Sequence, residues 1–385
     1  MMNRLCTLPR TRSCLLLGPR QTGKSTLVRQ TLPRRSFAVD LLQHDTFLRY
    51  SKEPSLYRLE VEAQIRRGVR VFFVDEIQRI PALLDEIHGL IEAHKVRFIL
   101  TGSSARKLRR GGANLLAGRA STRRLYPLTV DEQGDSFDLE RTLRLGSLPA
   151  VVTGSERDAR DLLEGYAETY LREEIQAEAL VRNLGGFGRF LDVAASENGG
   201  IVNFSAVGRD AALATRTVQE YYQILEDTLI GFRLEPWRSS PRARLVGHPR
   251  FYFFDTGVTN ALVDRLTGTL DRAWRGRLFE QWVVLECVRK IEYQRSEARL
   301  FYWRTNNGAE VDLLVEVHGR LRLAVEIKAK RQVSGADLSG LRSFAHAHPD
   351  VRRVVVAEVP EAYRLGTVDI LPYRAFLERL GRWLK

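Results

Sequence analysis

The sequence predicts an α/β chain in three parts. They are a parallel-sheet domain over residues 1–155, a helical and winged-helix region over 156–255, and a C-terminal α/β unit on a mixed sheet over 256–385. Three observations lead there. Short apolar runs alternate with amphipathic stretches in the first part, the pattern of strands joined by crossover helices. A helix, a turn, a second helix and two short strands follow one another in the middle. The last part returns to short strands around a helix.

In the first part, Ser13–Leu17 reads as a buried strand, 25–31 as a helix, 69–74 as a second buried strand, 81–93 as an amphipathic helix and 96–100 as a third strand. The middle begins with a helical stretch over 158–193. Helices at 205–213 and 217–227 and strands at 229–236 and 250–254 then give the winged-helix outline. In the last part a helix covers 278–290. Strands are expected at 298–303, 309–317, 321–327 and 352–359, with a helix at 337–346 between the last two.

A chain of 385 residues exceeds one ordinary hydrophobic core, and its 44% hydrophobic and 28% charged residues are those of a globular protein. The three cysteines, Cys6, Cys14 and Cys287, have no metal-like spacing. A disulfide framework is not expected, and a reducing cytosol suits them better. No apolar run reaches the roughly 20 residues that span a bilayer, and the apolar run at 14–18 is short for a signal peptide. The expectation is a cytoplasmic protein with no membrane partner. The net charge of +13 suits an anionic partner such as nucleic acid. The excess is mostly arginine, so codon usage is an equal explanation.

The most specific signal is Gly18-Pro19-Arg20-Gln21-Thr22-Gly23-Lys24-Ser25, which fits Gly-x-x-x-x-Gly-Lys-Ser/Thr without a mismatch. Glycines let backbone N–H groups curl around phosphates, and a lysine reaches the β- and γ-phosphates as a point charge. A serine hydroxyl serves Mg²⁺, and the helix behind, with Thr26 in its first turn, points its positive end at the anion. A second apolar strand ends in Asp75-Glu76. In that position Asp75 would hold magnesium with Ser25, and Glu76 would orient and polarise an attacking water. A third strand ends in Thr101-Gly102-Ser103-Ser104, where Thr101 and Ser103 are candidates to sense the γ-phosphate. ATP with Mg²⁺ is therefore the expected ligand, and hydrolysis the expected reaction.

Read together, Gly18–Ser25, Phe73-Val-Asp-Glu-Ile-Gln78, Leu100-Thr-Gly-Ser-Ser104 and Leu116-Ala-Gly-Arg119 resemble one group. It is the prokaryotic AAA-type P-loop ATPases that carry a C-terminal domain of unknown function. Gly146-Ser-Leu-Pro149 resembles the Gly-x-Pro element that this group, like the signal-transducing P-loop ATPases, has near the nucleotide. The resemblance covers most of the chain. It implies that Arg119 acts as an arginine finger or sensor, in cis or from a neighbouring subunit, and that the ATPase domain self-associates. The segment before the P-loop is short, which leaves base selectivity less defined than phosphate binding.

Four residues stand out in the last part. Glu280 lies on a helix, Asp312 on a strand, and Glu326 and Lys328 on the strand Ala-Val-Glu-Ile-Lys. Residues two apart on a strand share a face, so Glu326 and Lys328 are side by side, and a neighbouring strand can bring Asp312 opposite them. Asp312 and Glu326 would hold Mg²⁺, Lys328 would stabilise a pentavalent phosphate, and Glu280 would complete the site. This order resembles the PD-(D/E)xK nuclease superfamily and implies a restriction-endonuclease-like fold. In the winged-helix region the second helix carries Glu220, Glu226 and Asp227, which favours protein contact over reading DNA. Arg238, Arg242, Arg244 and Arg250 are the better candidates for phosphate contact.

The leading expectation is an ATPase whose nucleotide state controls a nuclease-like domain that meets nucleic acid. The alternative is a nucleotide-dependent regulatory or oligomerisation switch with a catalytically inert C-terminal platform. A DNA-binding transcriptional regulator is a third, weaker expectation.

Overall fold

The computed structural model describes residues 3–104, 118–170, 184–238 and 247–385. Leu116 and Ala117, part of the helical stretch at 158–193, and Arg242 and Arg244 lie outside the described residues. The chain divides into two compact units. One comprises residues 1–128, 148–150 and 224–230, the other 129–147, 151–223 and 231–385. Residues 129–147, expected with the first domain, cluster with the second unit. The separate 156–255 region does not stand apart, because most of it clusters with the second unit too.

The first unit is built on a five-stranded sheet in the order β2-β3-β4-β1-β5, with β1 Ser13–Leu17, β2 Ser36–Asp40, β3 Val71–Asp75, β4 Arg97–Gly102 and β5 Ala120–Arg124. Its pairings are parallel, Leu15 lying opposite both Leu100 and Thr122. The interior strands β1, β3 and β4 are buried almost throughout, which is why they read as unbroken apolar runs. The edges β2 and β5 are half-exposed; β2, Ser-Phe-Ala-Val-Asp, has an apolar run of only three residues, and β5, Ala-Ser-Thr-Arg-Arg, is polar. Their composition hid them from the sequence expectation, as it did the helices α2 His44–Lys52 and α3 Pro54–Arg66. The expected helices at 25–31 and 81–93 are α1 Lys24–Thr31 and α4 Leu83–His94. Leu83, Ile87 and Leu90 of α4 bury a stripe against a core that holds Phe72 stacked on Phe98, ring centroids 5.1 Å apart.

The second unit has a six-stranded mixed sheet in the order β12-β13-β11-β10-β9-β8. The hairpin β6 Gly231–Leu234 and β7 Arg250–Phe253 precedes it. In the sheet, β8 Arg299–Arg304, β9 Glu310–Val317 and β10 Arg320–Lys328 run antiparallel in turn. β10, β11 Arg352–Ala357 and β13 Val368–Pro372 are parallel, and β12 Tyr363–Leu365 closes the edge. One sheet face packs on the helices Arg272–Gln294 and Tyr373–Trp383 through Trp282, Val283, Phe376 and Leu380. The other face packs on Ser339–Ala347 through Leu341 and Phe344. The helices Phe204–Asp210 and Thr215–Asp227 and the β6-β7 hairpin lie where two helices and two strands were expected. Phe190, Tyr222 and Phe251 bind this part together, edge to face.

No helix among the described residues is long and apolar enough to cross a membrane.

Two glycines give opposite expectations. A Cβ on Gly340 would stand 1.8 Å from the Glu310 carbonyl oxygen, so the helix Ser339–Ala347 lies against β9 only because that atom is missing. Gly340→Ala should cost about 2–3 kcal/mol through forced separation. Gly89 is exposed in α4 with nothing within 4 Å of an added Cβ. Gly89→Ala should stabilise by about 0.5–1 kcal/mol by restricting the unfolded chain. Urea midpoints of the two variants check both signs.

Candidate functional site

Parallel strands place all their C-terminal ends on one edge of the sheet, and the first unit gathers its polar side chains there. The P-loop leaves β1 at Gly18, whose N–H donates to Gly102 O at 3.2 Å. A Cβ on Gly18 would lie 2.2 Å from the Leu125 carbonyl oxygen, so only glycine fits. Gln21 and Gly23 have φ of 61° and 88°, the left-handed turns that curl the loop back on itself. Thr22 is fully buried, and its hydroxyl donates to Pro19 O at 2.8 Å. Arg4 braces the loop from outside, donating to Thr22 O at 2.7 Å and Tyr126 O at 2.6 Å. Lys24, 5% exposed, donates to Gly18 O at 2.8 Å and Pro19 O at 2.9 Å. Its ammonium is thus folded over the loop. Arg20 is half-buried, and Thr26 is exposed in the first turn of α1.

Asp75, at the end of β3, is the hub. Its Oδ1 accepts from Ser25 Oγ at 2.9 Å and from Thr101 Oγ1, while Thr101 Oγ1 accepts from Glu76 N–H at 3.1 Å. One threonine on β4 thereby fixes two neighbours on β3, and the loop serine joins them. Burial pushes the Asp75 carboxyl above its ordinary range, against the pull of the Ser25 and Thr101 hydroxyls. Glu76 sits in the left-handed region at φ 59°, which turns its side chain away from that of Asp75. Its Oε2 accepts from Gln78 Nε2 and from Ser103 Oγ at 3.3 Å, and Gln78 Nε2 also donates to Ser103 Oγ at 2.8 Å. Gln78 carried no role in the sequence expectation. The turn Ile77–Arg79 brings it back over Glu76, a reversal that spacing alone does not announce.

In the second unit the four expected residues come together, but around a fifth. Leu313 pairs with Val325 across β9 and β10, which sets Asp312 beside Glu326. Lys328 Nζ donates to Glu326 Oε1 at 2.5 Å and lies 3.8 Å from Asp312 Oδ2, which also accepts from Ile327 N–H at 2.8 Å. The fifth residue is Arg250 on β7. It was expected to be available to phosphate, but it is 5% exposed. Its guanidinium meets Glu280 Oε1 at 2.5 Å, Glu310 Oε1, and Asp312 Oδ1 at 3.7 Å. Tyr252 OH donates to the same Glu280 oxygen at 2.7 Å. Burial pulls the Arg250 guanidinium down, but Glu280, Tyr252 and Asp312 outweigh it and hold it above its usual value. Burial, then the charge of Asp312, pushes the Glu326 carboxyl up to about 8 despite Lys328.

Comparison with known proteins matches three successive segments of the chain. Residues 10–133 match the family model described as AAA domain. Residues 10–133 are thus similar to AAA domains, and that segment is referred to below as the AAA domain. Residues 136–269 match a domain of unknown function (DUF8612) and residues 275–376 another (DUF4143). An uncharacterized protein of Mycobacterium tuberculosis is 29% identical over 318 residues, covering 80% of this chain and 68% of that protein. An uncharacterized protein of Haemophilus influenzae is 20% identical over 269 residues, covering 63% of this chain and 67% of that protein. The Orc1 protein of Aeropyrum pernix, solved in complex with DNA, aligns at 14% identity with a TM-score of 0.28, over 66% of this chain and 87% of that one.

Within the AAA domain, Arg119 does not lie where an in-cis finger must. It precedes Ala120, which pairs with Ser13 at the start of β1, whereas the P-loop leaves the far end of that strand at Leu17. Arg119 forms an ion pair with Glu92 of α4 instead.

The two sets differ in their fit to magnesium. In the AAA domain, Ser25 and Asp75 offer hard oxygen donors 2.9 Å apart beside the loop, which suits Mg²⁺. In the second unit the carboxylates already face Arg250 and Lys328, and no group of three or more His, Cys, Asp or Glu among the described residues is arranged to hold a metal. The expected metal role of Asp312 and Glu326 does not fit the site as it stands.

Thr101 offers a direct check on the hub. Thr101→Val keeps the shape but leaves the Glu76 N–H and one Asp75 bond unmade, and should destabilise by about 1–3 kcal/mol. Thr31→Val, at an exposed residue whose hydroxyl back-bonds to Leu27 O and Val28 O within α1, should change stability far less in the same melting experiment.

Proposed function

We propose that this protein binds ATP with Mg²⁺ at its AAA domain and hydrolyses it. In this reading the nucleotide state governs a nuclease-like C-terminal unit that meets nucleic acid. The observation that carries the ATPase reading is the single Asp75 oxygen held both by Ser25 of the P-loop and by Thr101 of β4. It links the phosphate loop to the strand end that carries Glu76.

On nucleotide binding, Lys24 would exchange its two carbonyl acceptors for β- and γ-phosphate oxygens. The N-terminal end of α1, the backbone of residues 18–23 and Thr26 would complete the cradle. Ser25 and Asp75 would hold Mg²⁺, which supplies charge neutralisation across the phosphates. Glu76 would leave Gln78 and Ser103 to orient water. The water oxygen bonds to the γ-phosphorus, the bond to the β-phosphate oxygen breaks, and the proton passes by way of Glu76 to solvent, giving ADP and phosphate. Thr101 and Ser103, at the end of β4, would sense the γ-phosphate. Arg119 would serve a neighbouring copy through self-association of the AAA domain.

A second reading is favoured by one observation, the burial of Arg250 among Glu280, Glu310 and Asp312. In it the protein is a nucleotide-dependent regulatory or oligomerisation switch with an inert C-terminal platform.

ATP turnover with and without DNA tests both readings, comparing wild type, Lys24→Ala and Glu76→Gln. Both variants should lose turnover by about 10²-fold or more, as expected when transition-state positioning is removed. Glu76→Gln should still bind nucleotide, and Lys24→Ala should not. Turnover that survives both substitutions overturns the ATPase reading. Stimulation by DNA supports the nucleic-acid partner, and indifference to DNA favours the switch.

A further inference from the structure

We propose that Arg250 is the resident cation of the acidic set in the second unit, standing where a divalent metal would otherwise be needed, so that Arg250 makes this unit independent of metal. Glu280 comes from the helix Arg272–Gln294, Glu310 and Asp312 from β9, and Glu326 from β10. Their convergence would be self-repelling without a positive charge between them. Arg250 supplies it from β7, with its guanidinium shared among Glu280, Glu310 and Asp312 and its face 5.3 Å from the Tyr302 ring centroid. A guanidinium keeps its charge at every working pH and presents several donors in a fixed plane, so it can hold carboxylates from different elements at once.

A second, independent observation is that one buried carboxylate oxygen of the set is left over. Glu326 is only 8% exposed, and its Oε2 is buried without a hydrogen-bond partner, although its Oε1 takes Lys328. That oxygen is unused by the two resident cations. Carboxylates on rigid strands with a vacant buried oxygen are hard-donor ligands for Mg²⁺ or Mn²⁺ once the competing guanidinium is gone. The geometry therefore points to a masked divalent-cation site, exposed by loss of one side chain. This inference does not rest on the ATPase reading, and its readouts do not involve ATP.

The test uses the full chain, free of nucleotide, with Mn²⁺ as probe. Electron paramagnetic resonance counts bound Mn²⁺, and thermal melting reports the fold. Wild type should melt at the same temperature with and without Mn²⁺ and show no bound Mn²⁺ that Asp312→Asn removes. Arg250→Met keeps an apolar stem beside Tyr302 and should melt lower. It should recover on adding Mn²⁺, with one equivalent bound that is lost in Arg250→Met/Asp312→Asn. If Arg250→Met fails to fold alone, folding on Mn²⁺ addition supports the inference equally, and failure to fold with it overturns it. Arg250→Met that melts lower but neither binds nor responds to Mn²⁺ also overturns it. So does wild-type protein that binds Mn²⁺ in an Asp312-dependent way, whatever the variants do.

Discussion

Parallel strand pairing dictates where this molecule keeps its chemistry. When neighbouring strands run the same way, their C-terminal ends fall on one edge, and the loops leaving them are the only segments free to diverge. In the AAA domain that rule brings the P-loop from β1, Asp75 and Glu76 from β3, and Thr101 and Ser103 from β4 within hydrogen-bond reach although up to 85 residues separate them. The strand order decides the rest. β4 lies between β1 and β3, so its threonine is the natural bridge between loop and carboxylate. The same arrangement sends β5 back to the start of β1, which removes Arg119 from that edge.

The second unit answers to a different constraint, the cost of burying charge. Taking a guanidinium out of water is unfavourable by several kcal/mol unless partners replace its hydration. Arg250 finds them on two elements, the long helix at position 280 and β9 at positions 310 and 312, so the β6-β7 hairpin is tied to that helix and to the sheet by electrostatics. Gly146 is fixed by a similar demand. Asp255 is fully buried and caps its own helix, taking the Gly257 and Val258 N–H groups, and Ser147 N–H adds a bond at 2.8 Å. A side chain on Gly146 would collide with that carboxylate at 1.8 Å. The expected Gly-x-Pro element thus has a local packing reason for its glycine.

The P-loop and the Asp75-Glu76 pair were legible because their chemistry needs neighbouring residues in a fixed order. Interior strands were legible because burial on both faces leaves apolar runs. The edges β2 and β5 were not, since half-solvated strands leave an apolar run of three residues in one and none in the other. Glu280, Asp312, Glu326 and Lys328 could be listed from sequence, and period-two alternation placed Glu326 beside Lys328. Nothing in the sequence announced Arg250. It lies 30 residues before Glu280, on a strand that reads as a wing, and only the fold turns it inward. Gln78 was hidden for a smaller reason, a left-handed glutamate that reverses the chain for a single turn.

The posture of Lys24 has a kinetic meaning. With its ammonium resting on the carbonyls of Gly18 and Pro19, and Thr22 bonded to Pro19, the loop is braced in its curled shape by its own side chains. An arriving anion need not order the chain; it only has to swap places with two backbone oxygens. Vacating the loop is likewise a swap, with those oxygens waiting to recapture the lysine. Entry and exit of an anion would thus be two directions of one short exchange.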